Sequence, residues 1–160
     1  MKRKLFFDLD DTLMVSIERF SETDVDDSAV SIQVGVTTYN SFENQKMINF
    51  LHASRIYNNC YMLTAASELY AKAHNLILKL GFKDDEIFSK QYVAFKKLPF
   101  DIEKENTFLI DNLDINSSSS KEKMNFLGIE KENYIQVESY YGSPNCSDKD
   151  IEILVKKFFK

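Results

Sequence analysis

Near the start of the chain, Leu5-Phe6-Phe7 runs straight into Asp8, Asp10, Asp11 and Thr12. Three apolar residues read as a short buried strand. Carboxylates at the end of such a strand are costly to bury unless a cation or a set of donors offsets their charge. Two carboxylates in a DxD spacing at a strand's carboxyl end suit a divalent metal and phosphoryl transfer. Two more strand ends carry polar chemistry. Cys60-Tyr61-Met62-Leu63 ends in Thr64-Ala65, and Thr107-Phe108-Leu109-Ile110 ends in Asp111-Asn112. Three polar strand ends in one chain are much harder to explain by chance than the first alone.

The elements between them must bring those ends together. Leu13-Val15-Ile17 and Val30-Ile32-Val34-Val36 alternate with polar residues across an acidic loop, Glu22 to Asp27, and read as an antiparallel hairpin over residues 13–37. The loop lacks the glycine and closing Glu of a calcium loop and reads as a solvated tip. A helix is expected from Phe42 to about Tyr57, and a second carries Leu69, Ala73, Leu76, Ile77 and Leu80 inward, stopping at Gly81. Ile87-Phe88 and Tyr134-Val137 read as further strands. Ser119 with Glu122 gives the capping-box spacing of a helix ending at Gly128, and a last helix starts near Ser147. Strands alternating with helices predict an α/β domain over residues 1–160. Its central sheet is mainly parallel with helices on both faces, and ligands bind outside the carboxyl ends of the strands.

Composition narrows the classes. With only 4 Gly in 160 residues a glycine-rich nucleotide loop is not expected, and GxxxxGK[ST] is absent. A net charge of −5 without a basic stripe disfavours nucleic acid as a partner. The run after Met1-Lys2-Arg3-Lys4 is too short for a signal-peptide core, and no stretch approaches a membrane span, so a cytoplasmic protein is expected. Cys60 and Cys146 form no metal spacing and read as free thiols. His52 and His74 read as ordinary helix residues, and Asp114 as a loop-fixing one.

Taken in order, these motifs resemble those of haloacid-dehalogenase (HAD) superfamily phosphatases. DxDxT is present as Asp8, Asp10 and Thr12. YMLT supplies Thr64, a lysine ahead of the next strand is available as Lys97 or Lys96, and LIDN supplies Asp111 and Asn112. The closing segment, VESYYGSPNCSDKDIEILVKKF, and the helix after Thr64 are similar to phosphatases related to the NLI-interacting factor and the RNA polymerase II C-terminal-domain phosphatases. The resemblance implies a HAD-like Rossmannoid fold with a small flap in place of a large cap. It also implies a magnesium-dependent phosphomonoester hydrolase. Asp8 would be the nucleophile and Asp10 the general acid and base, with Thr12 as its holding partner. Thr12, Thr64, Ala65 and Lys97 would surround the phosphoryl group. Asp8, Asp10 and either Asp111 or Asn112 would hold Mg2+. An open site suits a bulky phosphoprotein-type substrate. A nucleotide or nucleic-acid end, a receiver-like phospho-binding module and a catalytically idle relative are the alternatives; oligomeric state is open.

Overall fold

The computed structural model describes residues 2–142 and 148–159. Its frame is a five-stranded sheet built from β1 (Lys4–Phe7), β5 (Asn59–Leu63), β6 (Ile87–Phe88), β7 (Thr107–Asp111) and β8 (Tyr134–Gln136), in the spatial order β6-β5-β1-β7-β8. Every neighbouring pair is parallel. β1 is central: Phe7 pairs with Met62 on one side and Ile110 on the other. Chain order reverses on the two sides of β1, so its carboxyl end and that of β7 flank a switch-point crevice, where open α/β sheets bind ligands.

The period of two in β1 sends Leu5 and Phe7 into one buried layer and Phe6 into the other. The first layer is closed by α1 (Gln45–Ser54), α2 (Glu68–Ile77) and α5 (Asp148–Phe158), through Leu51, Ala71 and Phe158 among others. The second is closed by α3 (Lys90–Phe95) and α4 (Ser118–Leu127), with Tyr92, Val93, Met124 and Leu127 against Leu63, Phe88 and Leu109. Each fully buried Leu or Phe in these layers contributes about 1.5–3 kcal/mol. No helix among the described residues is long and apolar enough to cross a membrane. Cys60 is a buried free thiol, while Cys146 lies outside the described residues.

The expected parallel α/β sheet is therefore present, and four local readings change. The segment after β1 is a three-stranded antiparallel sheet, not a hairpin of the two alternating runs. β2 (Met14–Glu18) and β3 (Val30–Val34) both pair with β4 (Thr37–Glu43), which lies between them. β4 takes the start of the expected first helix, and Asn44 caps α1 by accepting from the Met47 amide. α2 presents Tyr70, Ala71 and His74 inward, leaving Leu69 and Leu76 at 61% and 74% exposure. The Leu stripe and this stripe are both helical, and the sheet takes the one carrying the polar ring. Finally, the cap of α4 is Ser117, whose Oγ accepts from the Ser120 amide at 3.2 Å, rather than Ser119.

Candidate active site

Asp8 directly follows β1, and its amide still donates to the Ile110 carbonyl at 2.9 Å, so the sheet fixes where this carboxylate stands. The chain then turns sharply. Asp11 adopts φ 60°, a left-handed conformation that Asp tolerates better than most residues. Its amide donates to Met14 O and its carbonyl accepts from the Tyr140 amide, both at 2.7 Å. The turn is therefore tied both to the start of β2 and to the loop after β8.

Asp8 is 5% exposed, and its two oxygens face different partners. Lys123 Nζ donates to Oδ1 at 2.7 Å and, at the same distance, to Asp111 Oδ2. The Thr12 hydroxyl donates to Oδ2 at 3.3 Å. Lys123 lies on α4 within a buried row of Ser120, Lys123, Met124 and Leu127. Helical side chains lean toward the N-terminus of their helix, which here directs the ammonium back to the carboxyl ends of β1 and β7.

One ammonium between two buried carboxylates, with Asp10 close by, leaves an excess of negative charge. Burial pushes the Asp8 carboxyl up to about 7, against the lowering pull of Lys123 and with Asp111 adding to the rise. Burial works against the Lys123 ammonium, but Asp8 and Asp111 outweigh it and hold its pKa above the ordinary lysine value. Lys123 is thus the permanent cation of the cluster, and Asp8 the group whose charge is hardest to keep. Burial also raises Asp10, and a hydrogen bond from the Tyr70 hydroxyl opposes the rise only in part.

Asn112, beside Asp111, turns one terminal atom of its carboxamide toward Asp8 Oδ2 (3.3 Å) and the Asp10 carbonyl (3.2 Å) and the other toward Ser139 Oγ (2.9 Å). The amide has two orientations of equal shape. With nitrogen inward it donates to both acceptors. With oxygen inward three oxygens face one another, an arrangement that a cation relieves. A hard oxygen-seeking ion such as magnesium fits that set, since it needs few protein ligands and keeps waters. Among the described residues no three His, Cys, Asp or Glu side chains form a metal cluster. The candidate set is instead two side-chain oxygens and one backbone carbonyl.

The structure places the expected residues unevenly. Asp8, Asp10, Asp111 and Asn112 come together. Asp111 is fully buried and spends Oδ2 on Lys123 and Oδ1 on the Leu113 amide, so Asn112 rather than Asp111 faces the cation position. Thr12 is fully buried behind Asp8, with its hydroxyl on Asp8 and Asn112. Among the described residues its hydroxyl makes no hydrogen bond to the Asp10 carboxylate. Tyr70 holds Asp10 instead, its hydroxyl donating to Oδ1 at 2.7 Å.

The expected lysine is the largest correction. Lys97 and Lys96 are exposed; the Lys97 carbonyl accepts from the Tyr92 hydroxyl, and the Lys96 ammonium lies over the Tyr92 ring. The lysine beside Asp8 is instead Lys123. Thr64 and Ala65 line a cavity of about 200 Å³ with Lys90, Ser118, Ser119 and Lys123, so β5 and α4 share one recess. The Thr64 hydroxyl accepts from the Ala66 amide at 3.0 Å, shaping the turn there. A larger cleft of about 490 Å³, lined by Phe42, Gln45 and Tyr140 among others, contains none of the acidic strand ends.

The strand order, with polar residues at the ends of the first, second and fourth parallel strands, defines a parallel α/β fold, and comparison with solved structures shows which proteins share it. The chain superimposes on fission yeast RNA polymerase II CTD phosphatase Fcp1, a variant bound to beryllium fluoride, with a TM-score of 0.59 over 99% of this chain at 16% identity. A second structure of Fcp1, described as an essential RNA polymerase II CTD phosphatase, gives 0.60 over 98% at 16% identity. This chain spans about half the length of either, 51% and 50%. No family model and no curated protein matches the sequence.

Proposed function

We propose that this chain is a magnesium-dependent phosphomonoester hydrolase that works through an aspartyl-phosphate on Asp8. The observation that carries this reading is the division of the Asp8 carboxylate. Oδ1 lies against Lys123 on the side of the Thr64 recess, and Oδ2 lies against Thr12 and Asn112, whose inward carboxamide atom also faces the Asp10 carbonyl. Asp8, the Asp10 carbonyl and Asn112 would hold magnesium, which supplies positive charge beside the phosphoryl group.

In this mechanism Asp8 Oδ1 forms a bond to phosphorus as the bond to the ester oxygen breaks. Protonated Asp10 gives its proton to that leaving oxygen. Water then attacks phosphorus, passing a proton to Asp10, and the Asp8–phosphorus bond breaks. Lys123 neutralises charge on the phosphoryl oxygens and keeps Asp111 paired throughout. The Thr64–Ala65 turn lines the recess that receives those oxygens.

The flap is a single three-stranded sheet rather than a domain, which leaves room for a bulky substrate. A phosphoprotein is the substrate class this reading favours, in keeping with the CTD phosphatases that share the fold. The test is to offer a phosphopeptide, a nucleotide and a DNA 3′-phosphate with magnesium or with excess chelator, and to trap the enzyme in acid. Magnesium-dependent release from the phosphopeptide, with a hydroxylamine-sensitive phosphate lost in Asp8→Asn, is expected. Full activity in chelator would remove the metal from the mechanism, and a preference for either nucleic-acid substrate would replace the substrate class.

A further inference from the structure

A carboxylic acid that gives and retrieves a proton must present the same oxygen twice, and a free carboxyl group rotates. Asp10 is not free. Its Oδ1 accepts from Tyr70 at 2.7 Å, and Tyr70 belongs to α2, the helix that follows the Thr64 strand end. The donor therefore comes from the helix after the Thr64–Ala65 turn that lines the recess, not from the turn that carries Asp10.

Tyr70 is itself held on several sides. Its ring lies 4.1 Å from the His74 ring, centroid to centroid, and meets the edge of Tyr39 at 5.2 Å. The Ser16 hydroxyl, from β2, faces the phenol oxygen. Ser16 Oγ is 2.6 Å from Ser41 Oγ on β4, and each hydroxyl lies 3.0 Å from His74 Nε2. His74 Nδ1 donates to the Tyr70 carbonyl at 2.9 Å, so Nε2 can only accept, from one of the two hydroxyls at a time. The result is a continuous polar seam from Asp10 through Tyr70 and Ser16 to a fully buried imidazole, joining the flap to α2. Space filling alone would need the ring and not the hydroxyl. Burial and the neighbouring Asp10 push the phenol pKa up, so the hydroxyl stays a donor at working pH.

We infer that Tyr70 is the positioning residue for proton transfer: by occupying Asp10 Oδ1 it makes Oδ2 the atom that gives the proton to the leaving oxygen and takes it back from water. This rests on the phosphatase reading above. A misplaced acid matters most when the leaving group is poor, because an alkoxide cannot depart without its proton while a dinitrophenolate can.

The test compares kcat/KM for an alkyl phosphate and for 2,4-dinitrophenyl phosphate in the wild type, Tyr70→Phe and Ser16→Ala. Tyr70→Phe keeps the ring contacts with His74 and Tyr39. It is expected to lose about 10–100-fold on the alkyl phosphate and less than about threefold on the dinitrophenyl ester. Ser16→Ala leaves the Tyr70 hydroxyl in place but frees it, and is expected to lose less than about tenfold with the same selectivity. It carries the test if Tyr70→Phe fails to fold. Equal losses on both substrates would overturn the assignment and leave Tyr70 a packing residue. Failure of the wild type to hydrolyse either ester would instead overturn the phosphatase reading, and the role of Tyr70 with it.

Discussion

Lys123 Nζ sits 2.7 Å from Asp8 Oδ1, joining residues that are distant in sequence and buried together at 4% and 5% exposure. The same ammonium neutralises Asp111, so removing it strands two carboxylates in the interior. Lys123→Met is expected to abolish turnover and to cost about 3–5 kcal/mol of stability, the usual penalty for an uncompensated buried charge. Urea unfolding at neutral pH measures the second effect. A loss under about 1 kcal/mol would show that water or counter-ions reach the cluster freely.

Asp8→Asn removes the proposed nucleophile while leaving Asp111 on Lys123. Because burial raises the Asp8 pKa to about 7 from 3.8, the folded chain takes up a proton there that the unfolded chain does not. Its contribution is full below about pH 4 and is lost as pH rises through 7. The neutral amide avoids that loss. Turnover is expected to fall at least about 10³-fold, while the unfolding temperature at pH 8 in chelator stays at or above that of the wild type. A lower unfolding temperature would mean that the Lys123 bond outweighs burial.

Asn112 offers a readout of metal that needs no substrate. Adding magnesium is expected to raise the unfolding temperature of the wild type, as any ligand of the native state does. Asn112→Leu should lose this rise. Asn112→Asp should start lower in chelator, with one more carboxylate against Asp8, and gain more from magnesium. Differential scanning calorimetry decides between the three. An undiminished rise in Asn112→Leu would place the ion elsewhere.

His74, at the far end of the seam from Asp10, gives a pH effect on stability. Burial lowers its pKa below the ordinary 6.5, opposed by the bond to the Tyr70 carbonyl. The unfolded chain therefore binds the proton first, and stability is expected to fall as pH drops below 6.5, with nothing gained above it. His52 is lowered as well, so the informative quantity is the difference between the wild type and His74→Gln. Urea midpoints at pH 5 and pH 7.5 should separate in the wild type more than in His74→Gln. Equal separations would assign the effect to other groups.

What the sequence made legible was whatever depends on local pattern. Leu5-Phe6-Phe7, Met62-Leu63 and Phe108-Leu109-Ile110 are buried runs too short to be helices, and the polar residues after them mark the end of the sheet where the candidate site lies. Strand neighbours were less visible. The Thr37–Glu43 segment has mixed polarity because β4 is the middle strand of the flap, with Asn40 and Ser41 buried and hydrogen-bonded. Lys123 was hidden by its charged neighbours Lys121 and Glu122. The available signal was its place in the Ser120, Lys123, Met124, Leu127 row, where a lysine on an inward helical face implies a carboxylate opposite. Tyr70 was obscured because the leucines beside it make an equally good stripe.

The central position of β1 bears on how the chain is made. Lys4 to Phe7 leave the ribosome before their partners, Asn59–Met62 and Thr107–Ile110. Parallel pairing across such sequence distances is slow to form, because a long loop must close before any contact rewards it. The nascent strand therefore waits, apolar and acidic at once, until β5 and then β7 arrive. The counter-charge on α4 is translated later still. Translation that stops between Asp111 and Lys123 would yield a chain with its acids assembled and no cation among them, a product suited to degradation rather than to idle persistence.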